Sequence, residues 1–342
     1  MPEQQPATRR PTIRDVAAHA GVSTASASLV LRKAPGVSEE TRDRVERAMR
    51  ELGYRPMASA RGMRGKTFTL GVLVSDIQNP FFGVLLDGIA AAVADTGYEP
   101  LIGPGGPTVA TQTKMLDAML DRQMDGLVLI GPLLRQRDLD AVATHTPTVV
   151  IGRHGPADLF DTVAGDDALG SRLIVDHLVS LGHRRISYVT HAGPDPDDDR
   201  RPEQVRERGY LEAMRAHGLG EFADVVPAAW TFEGGRRAGV LLRDRDEPPT
   251  AVHGGADIAA FGLMAELWRD ADSARPALVG YDDTPTAGLP NVALSSVDQS
   301  GFEMGRRAAE LLLERLDGRT DARHVIITPE LVVRASSAPA AG

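Results

Sequence analysis

The 342-residue sequence contains no cysteine, which excludes a disulfide framework and any metal site built on thiolates. It also contains no run of about 18 apolar residues, so we expect no membrane-spanning helix. The basic start, MPEQQPATRRP, is not followed by the apolar stretch of a secretory signal. We therefore expect a cytoplasmic protein with no membrane partner.

Motifs of several enzyme classes are missing as well. No G-x-G-x-x-G follows a candidate strand, and the glycine cluster GPGGP at 103–107 holds two prolines, as a turn does. No G-x-x-x-x-G-K-[ST], H-E-x-x-H or G-x-S-x-G occurs. The nine histidines are scattered along the chain. We therefore predict no catalytic residue, no metal ion and no cofactor, and a protein that is not an enzyme.

Charge divides the chain into two parts. Residues 1–66 carry 13 Lys and Arg against 7 Asp and Glu, a net charge of +6, whereas the rest carries −15 of the total of −9. A basic head on an acidic body indicates that only the head meets a polyanion such as nucleic acid. The alternative is that a small N-terminal domain is basic by chance.

The head contains a pattern typical of a helix-turn-helix. A first helix has an apolar stripe at helical spacing, Gly21 ends it, and Ser23 caps a second helix. Ser38 begins a third helix. Arg42 and Arg44 on that helix are interpreted as a solvated face or as phosphate contacts. The stripe of the first helix is Ile13, Val16, Ala17 and Ala20, and the inward residues of the second are Ala27, Val30 and Leu31.

In such a motif the second helix enters the major groove of double-stranded DNA with its N-terminal end against the base edges. Thr24, Ala25 and Ser28 face outward there, and small side chains approach base pairs closely. Ser26 and Ser28 could instead bind phosphate. The candidate DNA-contacting residues of the motif are Thr12, Ser23, Thr24, Ala25, Ser26, Ser28, Leu29 and Arg32.

The run from Thr12 to about Arg64 resembles the head of the lactose-repressor and galactose-repressor (LacI/GalR) family of bacterial transcriptional regulators. The matching elements are TIRDVAAHAGVS, a serine-rich second helix, PGVSEETRDRVERAMRELGYRP and ASARGMR. Two positions depart from the family pattern. Leu29 stands where many members carry arginine or another polar residue, and Met57 stands where asparagine is frequent.

The resemblance implies that residues 56–66 are a hinge. The nine residues 56–64, PMASARGMR, contain Gly62 and cannot hold a helix alone, but in the family two such segments fold against each other when a dimer occupies DNA. Ala60 would allow close approach of the two helices, and Met63 stands where a leucine usually wedges into the minor groove. The alternative is a plain linker.

From Thr67 onward short apolar strands alternate with helical stretches, a texture typical of parallel sheets covered on both faces. About ten strands fit two sheets better than one. The family resemblance implies a periplasmic-binding-protein-like body of two Rossmann-like subdomains facing a cleft. The predicted organisation is a disordered arm at 1–11, an all-α helix-turn-helix domain at 12–55, the hinge at 56–66, an effector-binding and dimerisation domain at 67–336, and a disordered tail at 337–342. The candidate strands are 70–74, 126–130, 148–151, 186–189, 250–254 and 277–281.

Ligands of open α/β sheets lie beyond the carboxyl ends of the strands. After strand 70–74, Asp76 and Asn79 can hydrogen-bond a polar ligand, and Phe81 or Phe82 can stack on it. The alternative is that Asn79 and Pro80 form a turn and that both phenylalanines belong to the core.

In the second half of the chain the candidate ligand contacts come from the resemblance. Arg206 matches the family's R-x-x-G-[YFW] arginine, Asp282 an aspartate that holds ligand hydroxyls, and Trp230 an aromatic residue found against sugars in some members. The alternative for Arg206 is a surface arginine paired with a nearby glutamate. Where many relatives have an Asn-Asp pair, this chain has Ala256 and Asp257, so one amide is lost and Asp257 remains as a candidate.

Together these features predict a ligand-responsive transcriptional repressor. A homodimer would bind a pseudo-palindromic operator, and a small-molecule effector, a sugar or related metabolite, would change its DNA affinity from the cleft. We expect the repressor to lie on the nucleoid when bound to operator. Inducer and co-repressor remain open. The alternative is a solute-binding module with no role on DNA.

Overall fold

The computed structural model describes residues 11–31, 34–55, 66–191, 198–269 and 275–339. The chain forms two compact units, Met1–Phe68 and Thr69–Gly342. Within the described residues no helix combines the length and the apolar character needed to cross a membrane.

The described residues of the first unit form three helices around a small core. The helices are α1 (Ile13–Ala20), α2 (Thr24–Leu31) and α3 (Glu39–Glu51), and buried residues such as Val16, Ala27 and Val45 form the core.

The ends of these helices follow from their capping residues. Thr12 caps α1: its backbone N–H donates to the Asp15 carboxylate at 2.7 Å, and its hydroxyl accepts from the Asp15 N–H. Gly21 ends α1 with φ +64°, a conformation that glycine adopts at little cost. Arg44 donates to the carbonyl oxygens of Ala20 and Gly21. Its guanidinium therefore secures the turn. The residue is nevertheless exposed, so the interpretation of Arg44 as part of a solvated face or as a phosphate contact stays a prediction.

The described residues of the second unit form two six-stranded sheets. The first sheet has the order β11-β5-β4-β3-β1-β2 and is parallel throughout, with Val72 of β1 beside Ile102 of β2 and Val128 of β3. The second has the order β12-β10-β9-β8-β6-β7 and is parallel except that β12 runs antiparallel to β10. The strands are β1 (Thr69–Val74), β2 (Glu99–Pro104), β3 (Gly126–Ile130), β4 (Thr148–Ile151), β5 (Asp161–Gly165), β6 (Ile186–Thr190), β7 (Asp224–Pro227), β8 (Ala251–Gly254), β9 (Ala277–Tyr281), β10 (Ser295–Asp298), β11 (His324–Ile327) and β12 (Glu330–Val332).

Helices cover the faces of both sheets. The chain builds most of the first sheet, crosses to the second after β5, and returns through the last helix to add β11 to the first sheet and β12 to the second. All six candidate strands are present, and the prediction of an α/β body with two subdomains is confirmed. The helices are α4 (Pro80–Val93), α5 (Val109–Asp121), α6 (Gln136–Ala143), α7 (Asp167–Ser180), α8 (Pro202–Ala216), α9 (Phe232–Arg243), α10 (Asp257–Leu267) and α11 (Gly301–Leu316).

The return helix α11 packs closely against α4. A Cβ built on Gly88 of α4 would lie 2.0 Å from the carbonyl oxygen of Phe302, and one built on Gly305 of α11 would lie 2.0 Å from that of Leu85. The two backbones therefore touch, and neither glycine position has room for a side chain. This contact fixes the returning chain beside the loop that follows β1.

Candidate functional site

The first turn of α2 presents small side chains. Ser23, Thr24 and Ala25 are exposed, and Ser26, Ser28 and Leu29 are partly exposed. The Ser23 hydroxyl accepts from the Ser26 N–H at 3.0 Å and lies 2.8 Å from its hydroxyl, which begins the helix. The first turn of α2 therefore carries no bulky side chain that would hold its backbone away from the base pairs.

Three candidate DNA contacts, Arg32, Ala60 and Met63, lie outside the described residues. Thr12 is part-buried and serves as the cap of α1.

A cavity of about 620 Å³ lies between the two subdomains of the second unit. Its wall is formed by residues that follow the carboxyl ends of strands in both sheets, which is where open α/β sheets bind ligands. The candidate residues on this wall are Asp76, Asn79, Phe81, Phe82, Arg206, Trp230 and Asp282.

The loop after β1 supplies one wall and also stabilises itself. Asn79 Oδ1 accepts from the Phe81 N–H at 3.0 Å and so caps α4, while Asp76 Oδ1 accepts from the Gln78 N–H at 2.8 Å. Phe81 is buried in the core, and its ring lies 6.2 Å from that of Phe82. The contacts therefore support the turn and core interpretation of this loop. Because these residues also line the cavity, their contact with a ligand stays a prediction.

Arg206 is buried at the floor of the cavity. Its Nε donates to Asp167 Oδ1 at 2.7 Å, Nη1 to the Gly255 carbonyl oxygen at 2.7 Å, and Nη2 to Gln299 Oε1 at 3.1 Å. The guanidinium carbon lies 3.6 Å from the centre of the Tyr281 ring. Because Arg206 has these partners and almost no solvent contact, the alternative of a surface arginine was wrong.

The charges of Arg206 and Asp167 stabilise each other. Burial alone would lower the pKa of Arg206, but Asp167 raises it above the ordinary arginine value. Burial likewise opposes ionisation of Asp167, yet Arg206 and His154 together hold the pKa of this carboxyl below its usual range. Asp167 and Arg206 therefore form a charged pair inside the protein.

Asp282 brings an unsatisfied oxygen to the cavity. Its φ of +119° is unusual for a residue with a side chain. Oδ1 accepts from Gln299 Nε2 at 2.6 Å, and Oδ2 is buried with no hydrogen-bond partner among the described residues. Burial raises the pKa of Asp282 well above its usual value, although Arg206 opposes the shift. A ligand hydroxyl would complete the hydrogen bonding of this group.

Asp257 does not line the cavity. Its Oδ2 accepts from the N–H and hydroxyl of Thr284 at 2.7 and 2.8 Å, and its Oδ1 accepts from the Ser296 hydroxyl at 2.6 Å. Burial raises its pKa to about 6. The prediction of a direct ligand contact is therefore corrected, since both oxygens are used to hold the loop after β9. Ala256 does lie on the wall.

Trp230 forms part of the opposite wall. Its indole N–H donates to the Val189 carbonyl oxygen at 3.3 Å, and its ring centre lies 5.8 Å from that of His191. The guanidinium of Arg206 lies 4.9 Å from the centre of the ring. The indole is thus fixed with one side toward the cavity.

Sequence reasoning missed several residues on the wall, including Asp167, Gln299 and Arg153. Arg153 follows β4, and its side chain is only 3% exposed. Its Nη1 lies 2.9 Å from Asp198 Oδ2, whereas Nη2 is buried without a partner in the described structure. Burial lowers the pKa of Arg153 from its ordinary value. The rule that ligands lie beyond strand ends would have found this residue had it been applied to β4.

Comparison with known proteins identifies the two units. Residues 12–57 match the family model of bacterial regulatory proteins of the lacI family, and residues 175–337 match that of the periplasmic binding protein-like domain. The HTH-type transcriptional repressor CytR of Escherichia coli K12 is 31% identical over 332 residues, which cover 95% of this chain and 96% of the relative. The chain belongs to the lacI family.

Two further relatives agree with this assignment. The ribose operon repressor of E. coli K12 is 30% identical over 335 residues, which cover 95% of this chain and 99% of the relative. The solved complex of the transcriptional regulator CelR with cellobiose is 28% identical, has a TM-score of 0.69, and covers 96% of this chain and 100% of that chain. CytR and the ribose operon repressor are both transcriptional repressors, so the prediction of a DNA-binding repressor rather than an enzyme is confirmed at the level of the family.

Proposed function

We propose that this lacI-family repressor binds a pseudo-palindromic operator as a homodimer and that a sugar or related metabolite in the cleft controls its DNA affinity. The observation that carries the proposal is a cavity of about 620 Å³ to whose wall each subdomain brings a buried polar atom with no hydrogen-bond partner among the described residues. These atoms are Arg153 Nη2 from the first subdomain and His191 Nδ1 and Asp282 Oδ2 from the second.

Arg153 Nη2 and Asp282 Oδ2, one from each subdomain, indicate a ligand that contacts both subdomains. Arg153 Nη2 is a donor and requires an acceptor, whereas Asp282 Oδ2 accepts when ionised and donates when protonated. A hydroxyl can serve either group, and the wall of Trp230 and Phe82 offers apolar faces to a ring. The names of the ribose operon repressor and of the CelR–cellobiose complex support a sugar.

The exposed turn of α2 supports direct reading of base edges. Thr24, Ala25 and Ser28 would contact bases, with the methyl groups of Thr24 or Ala25 against a thymine methyl. Ser23 and Ser26 would face the phosphate backbone, and Arg32 would add a contact there. Residues 56–66 would act as the hinge, with Ala60 at the contact of two hinge helices and Met63 in the minor groove.

Exposed apolar side chains in the second unit support the homodimer. Leu101 and Ile102 of the edge strand β2 are 46% and 54% exposed, and Leu241 of α9 is 60% exposed. An exposed, apolar edge strand tends to pair or aggregate unless another surface covers it. A second copy of the chain would cover these residues and bring two copies of α2 to one operator.

Removal of residues 1–66 tests the proposal. The remaining body should keep its thermal stabilisation by a bound sugar and lose specific DNA binding, measured by electrophoretic mobility shift at a stated salt concentration. Specific operator binding by the truncated body would contradict the proposal. Loss of DNA binding with no stabilisation by any sugar in a panel of pentoses, hexoses and disaccharides would reject the sugar assignment alone.

A further inference from the structure

Two consecutive residues of the first subdomain reach into the second. Arg153 Nη1 lies 2.9 Å from Asp198 Oδ2, and the backbone N–H of His154 donates to the Arg200 carbonyl oxygen at 2.8 Å. The side chain of His154 adds a third contact, with Nε2 at 2.6 Å from Asp167 Oδ2. The loop between β4 and β5 is therefore attached to the second subdomain at three points.

Asp167 belongs to the second subdomain. It is the first residue of α7, whose buried side chains Ile174 and Leu178 share a core with Ile186 and Tyr188 of the second sheet. The His154 contact therefore crosses from one subdomain to the other.

The same carboxylate also holds the cavity arginine. Asp167 Oδ1 accepts from Arg206 Nε at 2.7 Å while Oδ2 meets His154, so one buried side chain joins the loop of the first subdomain to Arg206. The Asp167 side chain is 2% exposed and that of His154 is 16% exposed. Because little water reaches these groups, hydrogen bonds to the carboxylate are weakly screened and directional.

We propose that His154 is a positioning residue that fastens the two subdomains together and holds Asp167, and through it Arg206, in place for the effector. Its importance for regulation rests on the proposed function, because a ligand changes DNA affinity only by favouring one arrangement of the two subdomains. Without the His154 contact the ligand-free cleft opens further, and Asp167 and Arg206 lose their fixed orientation. His154 itself is not assigned a contact with the ligand, since it is absent from the wall of the cavity.

The chain allows a direct measurement without ligand or DNA. Because the sequence has no cysteine, Lys114→Cys on α5 and Arg237→Cys on α9 place one exposed spin label on each subdomain. Labelled protein is mixed with excess unlabelled protein so that each assembly carries at most one labelled chain, and the distance distribution is measured by pulsed electron resonance.

Three variants separate positioning from general stability. His154→Leu removes the contact, and His154→Gln can restore an N–H donor to Asp167. His217→Leu is the matched control, because His217 makes a histidine–aspartate contact of the same 2.6 Å with Asp176 on the surface within the second subdomain. We expect a longer and broader distance distribution for His154→Leu, and wild-type distributions for His154→Gln and His217→Leu.

The effect on Arg206 has its own readout. In a Trp268→Phe background the only tryptophan is Trp230, whose ring lies 4.9 Å from the Arg206 guanidinium. His154→Leu should shift the emission of Trp230, and His154→Gln should restore it. Wild-type distances and wild-type emission in His154→Leu would overturn the proposal, as would equal changes in His217→Leu. Neither result bears on DNA binding, so the proposed function is tested separately.

Discussion

Replacing Arg206 with methionine should destabilise the second unit strongly. The variant leaves the Asp167 carboxylate, 2% exposed, without the cation that faces its Oδ1 at 2.7 Å. Removing one partner of a buried ion pair costs about 3–5 kcal/mol, because the remaining charge stays buried. The lost hydrogen bonds to Gly255 and Gln299 contribute to the same total. We expect the free energy of unfolding to fall by about 4 kcal/mol at pH 7.

Urea unfolding followed by tryptophan fluorescence measures this change. Both tryptophans, Trp230 and Trp268, lie in the second unit, so the signal reports that unit alone. Adding Asp167→Asn removes the stranded charge and should recover part of the loss, which a double-mutant cycle quantifies. Arg236→Met removes an arginine that is 44% exposed from Glu266. It should cost much less, because Glu266 keeps Arg243 at 3.3 Å and no charge is left unpaired. A loss below about 1 kcal/mol for Arg206→Met, as expected for an exposed pair, would refute the reasoning.

Four further changes test other parts of the account. Burial lowers the pKa of His253 to about 3, whereas the same side chain in the unfolded chain has a pKa of about 6.5. The unfolded state therefore takes up a proton as the pH falls below about 6.5 and the folded state does not, so the protein loses stability on acidification. Between pH 7 and pH 5 the free energy of unfolding of the wild type should fall by ~2 kcal/mol more than that of His253→Phe, measured by urea unfolding. Gly88→Ala should cost about 1–3 kcal/mol by thermal unfolding, because its Cβ would meet the Phe302 carbonyl oxygen; Gly83→Ala on the same helix, where nothing lies within 4 Å, should not. Asp282→Asn should abolish stabilisation by any sugar that stabilises the wild type while leaving ligand-free DNA binding unchanged, and a retained response would exclude Asp282 from the ligand contacts. Ala25→Gly should weaken preference at one base pair of each half-site by about 1–3 kcal/mol, and unchanged sequence preference would remove Ala25 from the reading residues.

The sequence predicted those helices and strands in which the hydrophobic pattern and the terminating residues indicate the same bounds. Gly21 stops α1 where the apolar stripe ends, and the continuous apolar runs of β1 and β3 are interior strands of the first sheet. Edge strands were not singled out. β2 reads EPLIGP and leaves most of its residues exposed or half-buried, and β11 is only half-buried, so neither has the continuous apolar run of a central strand.

The sequence predicted part of the cavity wall, because ligands of open α/β sheets lie beyond the carboxyl ends of the strands. Residues just after strands reach its wall, as Asp76 and Asp282 do. The hydrogen-bond partners of Arg206 were missed, because Asp167 and Gln299 lie 39 and 93 residues away from it in the chain. Asp257 was assigned wrongly because Thr284 and Ser296, both distant in sequence, take its oxygens.

Selection of bound DNA from a random duplex library, with the full-length protein at a stated salt concentration, tests the central claim most directly. The account predicts an enriched inverted repeat whose half-sites are related by twofold symmetry, because two copies of α2 would read one operator. The selection is run with and without a mixture of sugars, so that a requirement for a co-repressor is also detected. Enrichment of no sequence under either condition, or of a single asymmetric site, would contradict a dimeric, effector-controlled repressor.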